Sequence, residues 1–198
     1  TTGANNTAVG NFALYTNETG SWSTALGKDS LLYNTASENT GIGAQSLMAN
    51  TSGANNTGLG MNTLKANTTA SHNTAYGYAS LYVNTTGDRN TALGNAALQA
   101  NTTGTSNTAV GRLALEDCTT GGNNTAVGRF ALGQLTTASQ NVAIGNYALD
   151  AMTTASDNTA VGYEALTANT TGSQNTGVGH RSLIVNTTGT SLCAFGVG

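Results

Sequence analysis

Proline is absent from this sequence, charged residues make up only 8% of it, and cysteine occurs twice among 198 residues. The formal net charge of -3 leaves no basic excess, which argues against nucleic acid or an anionic membrane surface as a partner. No apolar run approaches the length of a membrane span, so we expect no membrane insertion. Disorder normally comes with high net charge, so the near-neutral balance favours a folded chain.

The abundant residues are glycine, asparagine, threonine and alanine, and they form a short tandem repeat. The final glycine of an N-T-A-V-G motif falls at Gly10, Gly27, Gly43, Gly60, Gly77, Gly94, Gly111, Gly128, Gly145, Gly162, Gly179 and Gly196. The spacing is seventeen residues throughout, except for one of sixteen before Gly43. A unit this short cannot hold a helical hairpin, whereas two short strands and two turns fit. The sequence therefore predicts an all-β fold, a parallel β-solenoid of about twelve rungs stacked ~4.8 Å apart, with residues 1–198 as one repeat domain.

Two large apolar columns are predicted to form the core of this solenoid. The leucine column lies four residues after each motif glycine and comprises Leu14, Leu31, Leu47, Leu64, Leu81, Leu98, Leu115, Leu132, Leu149, Leu166 and Leu183. The residue before each motif glycine forms a second column: Val9, Leu26, Ile42, Leu59, Tyr76, Leu93, Val110, Val127, Ile144, Val161, Val178 and Phe195. Burial of each such side chain contributes about 1.5–3 kcal/mol.

Small residues precede both columns, as at Ala8 and Gly41 before the second column and Ala13 and Ser46 before the leucines. Side chains alternate faces along a strand, so each small residue points away from its large neighbour. Such strict smallness indicates close packing. The packing partner is either another chain of the same kind or a crowded corner of the same chain.

A third column is predicted to be a buried ladder of amides. It comprises Asn17, Asn34, Asn50, Asn67, Asn84, Asn101, Asn169 and Asn186. Cys118, Leu135 and Met152 replace asparagine in three consecutive rungs, an exchange typical of a buried slot. Buried amides need hydrogen bonds, which stacked copies of asparagine can supply to each other. We expect a structural role for this ladder and no catalytic or metal-binding role.

Thr-Thr-Gly follows the third column in most repeats and predicts a tight turn with threonine at its edge. Ordered ranks of threonine on a flat solenoid face are also the chemistry of ice-binding proteins. That chemistry favours threonine alternating with an inward residue, whereas the paired threonines here are adjacent. Ice binding is therefore kept as an alternative.

Variation is confined to pairs of positions after the motif glycine, after the leucine and before the next asparagine, and we expect these to face solvent or a partner. Aromatic residues that occupy them are candidate ligand-binding residues: Phe12, Tyr15, Trp22, Tyr33, Tyr78, Tyr82, Phe130, Tyr147 and Tyr163. Exposed aromatic rings can stack on sugar rings or contact proteins. The dense group of Phe12, Tyr15, Trp22 and Tyr33 can equally pack at a joint within a fibre.

The pattern predicts neither an enzyme nor a metal or cofactor site. His72 and His180 lie more than six rungs apart, so no Ser, His and acid can converge on a scaffold in which each rung touches only its neighbours. Cys118 and Cys193 occupy different positions of the repeat over four rungs apart, which excludes a disulfide between them. No metal-ligand cluster is present in the sequence pattern.

The N-T-A-V-G-x-x-A-L-x-x-N-T-T-G unit resembles the head repeats of trimeric autotransporter adhesins and the repeats of phage tail fibres, along essentially the whole chain. The resemblance implies a left-handed β-roll, a homotrimer about a common axis, and an extracellular fibre on a cell surface or virion. In such heads the small residues beside the strand apolars face neighbouring chains. Rungs of seventeen residues are longer than typical adhesin-head rungs.

The function expected from this resemblance is surface attachment, as a receptor-binding or stalk segment that recognises a surface glycan or protein. The alternatives are an ice-binding solenoid and an inert fibre spacer. The sequence opens in mid-pattern without an initiator Met, so we interpret it as a fragment of a longer fibre protein.

Overall fold

The computed structural model describes residues 2–198 and shows a parallel β-solenoid of about eleven turns with a repeat of about 17 residues. The strands are β1 (Thr7–Val9), β2 (Thr24–Leu26), β3 (Thr40–Ile42), β4 (Thr57–Leu59), β5 (Thr74–Tyr76), β6 (Thr91–Leu93), β7 (Thr108–Val110), β8 (Thr125–Val127), β9 (Val142–Ile144), β10 (Thr159–Val161), β11 (Thr176–Val178) and β12 (Cys193–Phe195). They form one twelve-stranded sheet in chain order. The predicted fold class is confirmed, and Thr1 lies outside the described residues.

The strands pair in parallel with the repeat in register. In β7 and β8, for example, Thr108 lies opposite Thr125 and Val110 opposite Val127. Within the described part of the chain, no helix is long and apolar enough to cross a membrane.

Each rung has one strand, not the two that the sequence predicted, because the second half of the rung alternates in backbone conformation. In the seventh rung, Leu113 and Leu115 have φ values of 60° and 51°. These left-handed residues prevent a continuous extended strand. Backbone hydrogen bonds still join this half to the next rung, as where the Leu98 N–H donates to the Ala114 carbonyl at 3.0 Å.

Left-handed residues occupy three positions of the repeat: the residue before the motif asparagine, the second after the motif glycine, and the leucine column itself. Valine, isoleucine and threonine occur at none of them, although threonine is common elsewhere. A β-branched residue is a genuine outlier at positive φ. This restriction explains why the core column is always leucine and never isoleucine or valine.

The leucine column and the small residue of each strand form the interior. From Leu31 to Leu166 the leucines are fully buried, and the strand alanines between Ala25 and Ala160 are fully buried too. The small residue before each leucine is also buried, as at Ser30, Ala97 and Ala114. The leucine column is thus confirmed as core, and the smallness of both positions reflects a crowded corner within one chain.

The prediction that the second apolar column is core is wrong. It lies on the outer face of the sheet, with Val9, Leu26, Tyr76, Leu93, Ile144 and Phe195 exposed and the other members half-buried. The exposed fraction is 57% for Tyr76 and 74% for Phe195. We call these twelve residues, from Val9 to Phe195, the outer apolar column.

The narrow interior explains why the alanine and not the larger residue points inward. A Cβ built on Gly41 would lie 3.2 Å from the Leu31 Cγ and 2.7 Å from the Ser30 Oγ. The leucine of the opposite wall therefore leaves room for at most a methyl group. Any strand that faced its valine inward would have to displace that leucine.

The motif glycine turns the chain at the end of each strand. Gly111 has φ 133°, and a Cβ there would lie 2.6 Å from the carbonyl oxygen of Gly128 in the next rung. Conformation and close stacking both require glycine here.

The predicted asparagine ladder is present in two segments, from Asn34 to Asn101 and from Asn169 to Asn186. Its members are buried except Asn17 and Asn186, which are half-buried, and within residues 2–198 no side-chain hydrogen bond joins Asn17 to Asn34. Asn67 Nδ2 donates to Asn50 Oδ1 at 2.8 Å, and Asn84 Nδ2 donates to Asn67 Oδ1 at 2.9 Å. Each amide also holds the turn, as where Asn67 Nδ2 donates to the Ala70 carbonyl at 2.9 Å. The first segment of the ladder ends at Asn101, whose buried Oδ1 has no hydrogen-bond partner because the next rung carries Cys118.

A second asparagine ladder, which the sequence analysis did not identify, runs beside the first. It is the motif asparagine itself, buried at Asn39, Asn56, Asn73, Asn90, Asn107, Asn124, Asn141, Asn158 and Asn175. Asn56 Oδ1 accepts from the Asn73 backbone N–H at 3.0 Å, and Asn56 Nδ2 donates to the Ala70 carbonyl at 2.8 Å. This ladder joins side chain to backbone, and it continues unbroken through the rungs of Cys118, Leu135 and Met152.

Candidate functional surfaces

The predicted aromatic residues all lie on the outside of the solenoid. Phe12, Tyr15, Trp22, Tyr33, Tyr78 and Tyr163 are exposed, whereas Tyr82, Phe130 and Tyr147 are half-buried. Their placement on variable positions of the surface agrees with the prediction. Ligand binding by them stays a prediction.

The structure brings only some of these rings together. Phe12 and Tyr15 pack edge to face with centroids 5.2 Å apart. In the predicted N-terminal group, Trp22 and Tyr33 take no part in a ring contact within residues 2–198. The larger assembly is in the C-terminal half, where Phe130 stacks on Tyr147 with centroids 5.6 Å apart.

We define the arginine–aromatic strip as Arg112, Arg129, Phe130, Tyr147, Tyr163 and His180. These residues occupy the two positions after the motif glycine in five consecutive rungs. Tyr147 meets Tyr163 edge to face at 6.4 Å, and Tyr163 stacks on His180 at 5.6 Å. The sequence analysis found the aromatic members but missed the cations, whose repeat positions were the available signal.

Two guanidinium groups pack on the rings of this strip. The Arg129 Cζ lies 5.0 Å from the Phe130 centroid and 5.5 Å from the Tyr147 centroid. The Arg112 Cζ lies 5.9 Å from the same Phe130 ring. Cation–π contacts at these distances contribute about 0.5–1 kcal/mol when exposed.

An ion pair lies beside the C-terminal end of the arginine–aromatic strip. Arg181 Nε lies 2.7 Å from Glu164 Oε2. Hydrogen bonds from Tyr163 and Arg181 lower the pKa of the Glu164 carboxyl, and the hydrogen bond to Glu164 raises the pKa of the Tyr163 hydroxyl. The Glu164 carboxylate therefore balances the positive charge of Arg181.

A shallow groove of about 370 Å³ lies on a neighbouring side of the rod. It is lined by Tyr82, Val83, Gln99, Ala100, Glu116 and Asp117. Partial burial and then the nearby Asp117 raise the pKa of the Glu116 carboxyl, while Arg112 acts in the opposite direction. The Lys65 Nζ lies 5.6 Å from the Tyr82 centroid, above its ring.

The third candidate is the outer face of the sheet. Threonine and the outer apolar column share this face, because the strand alternates outward Thr, inward Ala and outward Val. No hydroxyl of the strand threonines makes a side-chain hydrogen bond in the described part of the chain, as is true of Thr108 and Thr125. Neither column contains a charged residue.

The sequence contains a signal for this face that the sequence analysis missed, namely the variation in side-chain size along the outer apolar column. It accepts residues from valine to tyrosine and phenylalanine, which a lumen that admits only a methyl group could not hold. Variable size together with constant apolarity indicates a position outside the narrow interior.

The turn threonines differ from those of the strands. Within residues 2–198, except at Thr187 in the last rung, the hydroxyl of the first threonine of Thr-Thr-Gly donates to a backbone carbonyl of the next rung, as where Thr102 Oγ1 donates to the Thr119 carbonyl at 3.0 Å. The second forms an exposed column that includes Thr103, Thr120 and Thr137. Only one of the two adjacent threonines therefore presents a free hydroxyl column at the turn.

Neither thiol belongs to a disulfide. Cys118 is buried and Cys193 is exposed, and burial raises the pKa of Cys118 to about 11. Over residues 2–198 there is no group of three or more His, Cys, Asp and Glu side chains that could hold a metal ion.

Comparison with known proteins finds no matching family model, no matching curated protein and no matching solved structure.

Proposed function

We propose that this chain is a segment of a three-chain extracellular fibre that attaches to a surface, with the sheet faces of its copies packed together. The observation that carries the proposal is the outer apolar column, a row of exposed and half-buried apolar side chains that runs along the whole sheet. Soluble monomers rarely expose contiguous apolar patches above a few hundred Å², and larger ones mark interaction sites.

The repeat favours a second copy of this chain as the occupant of that face. The outer apolar column presents one large side chain per rung at a spacing of about 4.8 Å. A partner that contacts every rung must have the same spacing, which a copy of this solenoid supplies. The absence of charge from both outer columns removes electrostatic repulsion between copies.

The size of the face is adequate for such an interface. Twelve rungs of half-exposed apolar and threonine side chains present an area on the order of the ~800 Å² per partner buried in a stable protein interface. The resemblance to trimeric fibre repeats supports three copies. A rigid rod whose variable residues stay on the remaining sides would display those residues to a surface glycan or protein.

Sedimentation equilibrium of the 198-residue chain tests the assembly. The expected mass is roughly three times 19.8 kDa. A Val110→Lys/Val127→Lys variant should lower the mass to that of one chain, whereas Arg112→Lys, outside the face, should leave it unchanged. A monomeric wild-type chain at micromolar concentration contradicts the proposal.

One observation favours ice binding as a second candidate. The strand threonines alternate with an inward alanine and lie beside the outer apolar column, so two regular columns share a flat outward face. This is the arrangement that the turn threonines lack. The same face cannot be buried between copies and also bind ice, so a monomer with measurable thermal hysteresis supports this second candidate.

A further inference from the structure

Arg112 and Arg129 lie at the same position of consecutive rungs, one residue after the motif glycine. Both side chains are exposed, and both guanidinium groups lie within 6 Å of the Phe130 centroid. Stacking of rungs therefore places two cations side by side, at a separation set by a rung spacing of about 4.8 Å.

Neither cation has an acidic partner. Within residues 2–198 the ion pairs are Lys28–Asp29 and Arg181–Glu164, so Arg112 and Arg129 have no carboxylate within 4.0 Å. Arg112 acts to lower the pKa of the Glu116 carboxyl, but the two groups form no ion pair within 4.0 Å. Two adjacent like charges without counter-charges form a site that favours an anion.

The aromatic rings restrain these long side chains before a ligand arrives. The Arg129 guanidinium contacts both the Phe130 and Tyr147 rings, with its Cζ 5.0 Å and 5.5 Å from their centroids, and lies beside the pair, whose rings are stacked at an interplanar angle of 14°. A guanidinium held on an aromatic face keeps its planar fork of donors, which matches carboxylate and sulfate. Restraint in advance reduces the entropy lost on binding.

The surroundings favour a sparsely charged, hydroxyl-rich polymer. The same position carries Asn95 before the two arginines and Asn146 after them, and Asn146 Oδ1 accepts from the Arg129 backbone N–H at 2.8 Å. This bond leaves the Asn146 amide donors for a ligand hydroxyl. A nucleic acid strand would place a phosphate at every step, and a chain of net charge -3 lacks the extended basic surface to match it.

We propose that Arg112 and Arg129, held by Phe130, bind the carboxylate or sulfate groups of an acidic surface glycan. This inference rests on the proposed function, since it names the ligand class of the same attachment surface.

Binding of the 198-residue chain to hyaluronate, heparin and neutral dextran, measured by biolayer interferometry at low ionic strength, tests the site. Hyaluronate carries carboxylates and heparin also carries sulfates, so the two separate the anionic groups. Arg112→Gln/Arg129→Gln should weaken binding to the acidic glycans by tenfold or more. The control Lys28→Gln/Arg89→Gln removes the same charge elsewhere and should change affinity by less than twofold.

Phe130→Leu keeps both charges but removes the ring that holds them, and it should weaken binding severalfold. Thermal unfolding midpoints equal to that of the wild type show that the variants are folded. The proposal would be overturned if the site and control variants lost the same affinity for the acidic glycans, or if neither acidic glycan bound at all. It would also be overturned if dextran bound as well as the acidic glycans, or if single-stranded poly(dT) bound more tightly. If the chain is a trimer but binds no acidic glycan, this inference is wrong and the proposed fibre is unaffected. If the chain is a monomer that binds acidic glycans through Arg129, the proposed fibre is wrong and this inference is unaffected.

Discussion

At the scale of single residues, backbone conformation decides which side chains this rod accepts. Leu98 has φ 52° and is fully buried, so it must satisfy the left-handed region and fill the interior at once. Leucine does both because its branch lies at Cγ, away from the backbone. Isoleucine has the same volume but branches at Cβ, where left-handed geometry crowds it.

Leu98→Ile should therefore destabilise the rod although hydrophobicity and volume are conserved. The expected loss is about 1–2 kcal/mol, the cost of the left-handed conformation for an ill-suited side chain. Leu98→Met keeps an unbranched Cβ and should cost less. Urea unfolding midpoints of both variants provide the measurement, and equal midpoints would contradict the conformational explanation.

The first asparagine ladder makes each amide depend on its neighbours. Asn67→Leu leaves Asn50 Oδ1 without its donor and Asn84 Nδ2 without its acceptor, so stability should fall by about 1–3 kcal/mol. Leu135→Asn should also destabilise, because Cys118 and Met152 offer no amide above or below. The triple variant Cys118→Asn/Leu135→Asn/Met152→Asn joins the two ladder segments.

Chemical unfolding of these variants separates a ladder from a simple polar slot. The triple variant should be more stable than the summed effects of its three single substitutions, since each added amide gains partners from the others. Strict additivity would show that the amides act independently. The orphaned Oδ1 of Asn101 gains a donor in the Cys118→Asn variants alone.

At the scale of the strand, three consecutive residues contribute both to the interior and to the outer face of the sheet. Ala109 is fully buried, while Thr108 and Val110 on either side of it are half-buried on the outer face. The alanine sets how closely the strand approaches the leucine column, and its neighbours determine what the sheet presents outward.

Changing the side-chain size of Ala109 and of Val110 should affect different properties, because the first side chain faces the interior and the second faces outward. Ala109→Val forces two methyl groups toward the leucine column and should lower the unfolding free energy by about 1–3 kcal/mol. Val110→Ala removes no interior contact, so it should have little effect on the stability of a single chain and should weaken the association of copies. Circular dichroism unfolding and sedimentation measure the two effects, and a larger loss of single-chain stability for Val110→Ala would refute the assignment of faces.

The repeat alone predicted the solenoid, the leucine column and the first ladder, because regular spacing and residue chemistry were sufficient for each. Alternation did not orient the Thr-Ala-Val strand, since it fixes relative directions but not which side is inside, and the variable size of the outer apolar column, which marks the outer side, was not used. The second ladder was missed because asparagine occupies its position in ten of the twelve motifs, so there was little substitution to indicate burial. The sequence shows Arg112 and Arg129 one rung apart but does not show that both pack on Phe130, because only the folded structure brings the two guanidinium groups onto that ring.

At the scale of the whole molecule, the proposed three-chain fibre predicts that its copies run in the same direction. Copies about a common axis, as the fibre resemblance implies, run parallel, and each rung then meets the same rung of its neighbours. An antiparallel pair would instead bring the second rung of one chain against a rung near the far end of the other. The two arrangements share the same face but differ in which residues touch.

Cysteine cross-linking distinguishes these arrangements. In a Cys193→Ser background, Leu26→Cys should form disulfides between identical chains under mild oxidation, because parallel copies bring residue 26 near itself. Cys118 should not compete, since it is buried and its pKa is about 11. Non-reducing gel electrophoresis provides the measurement. If Leu26→Cys chains cross-link only when mixed with Val178→Cys chains, the copies are antiparallel and the common-axis fibre is wrong.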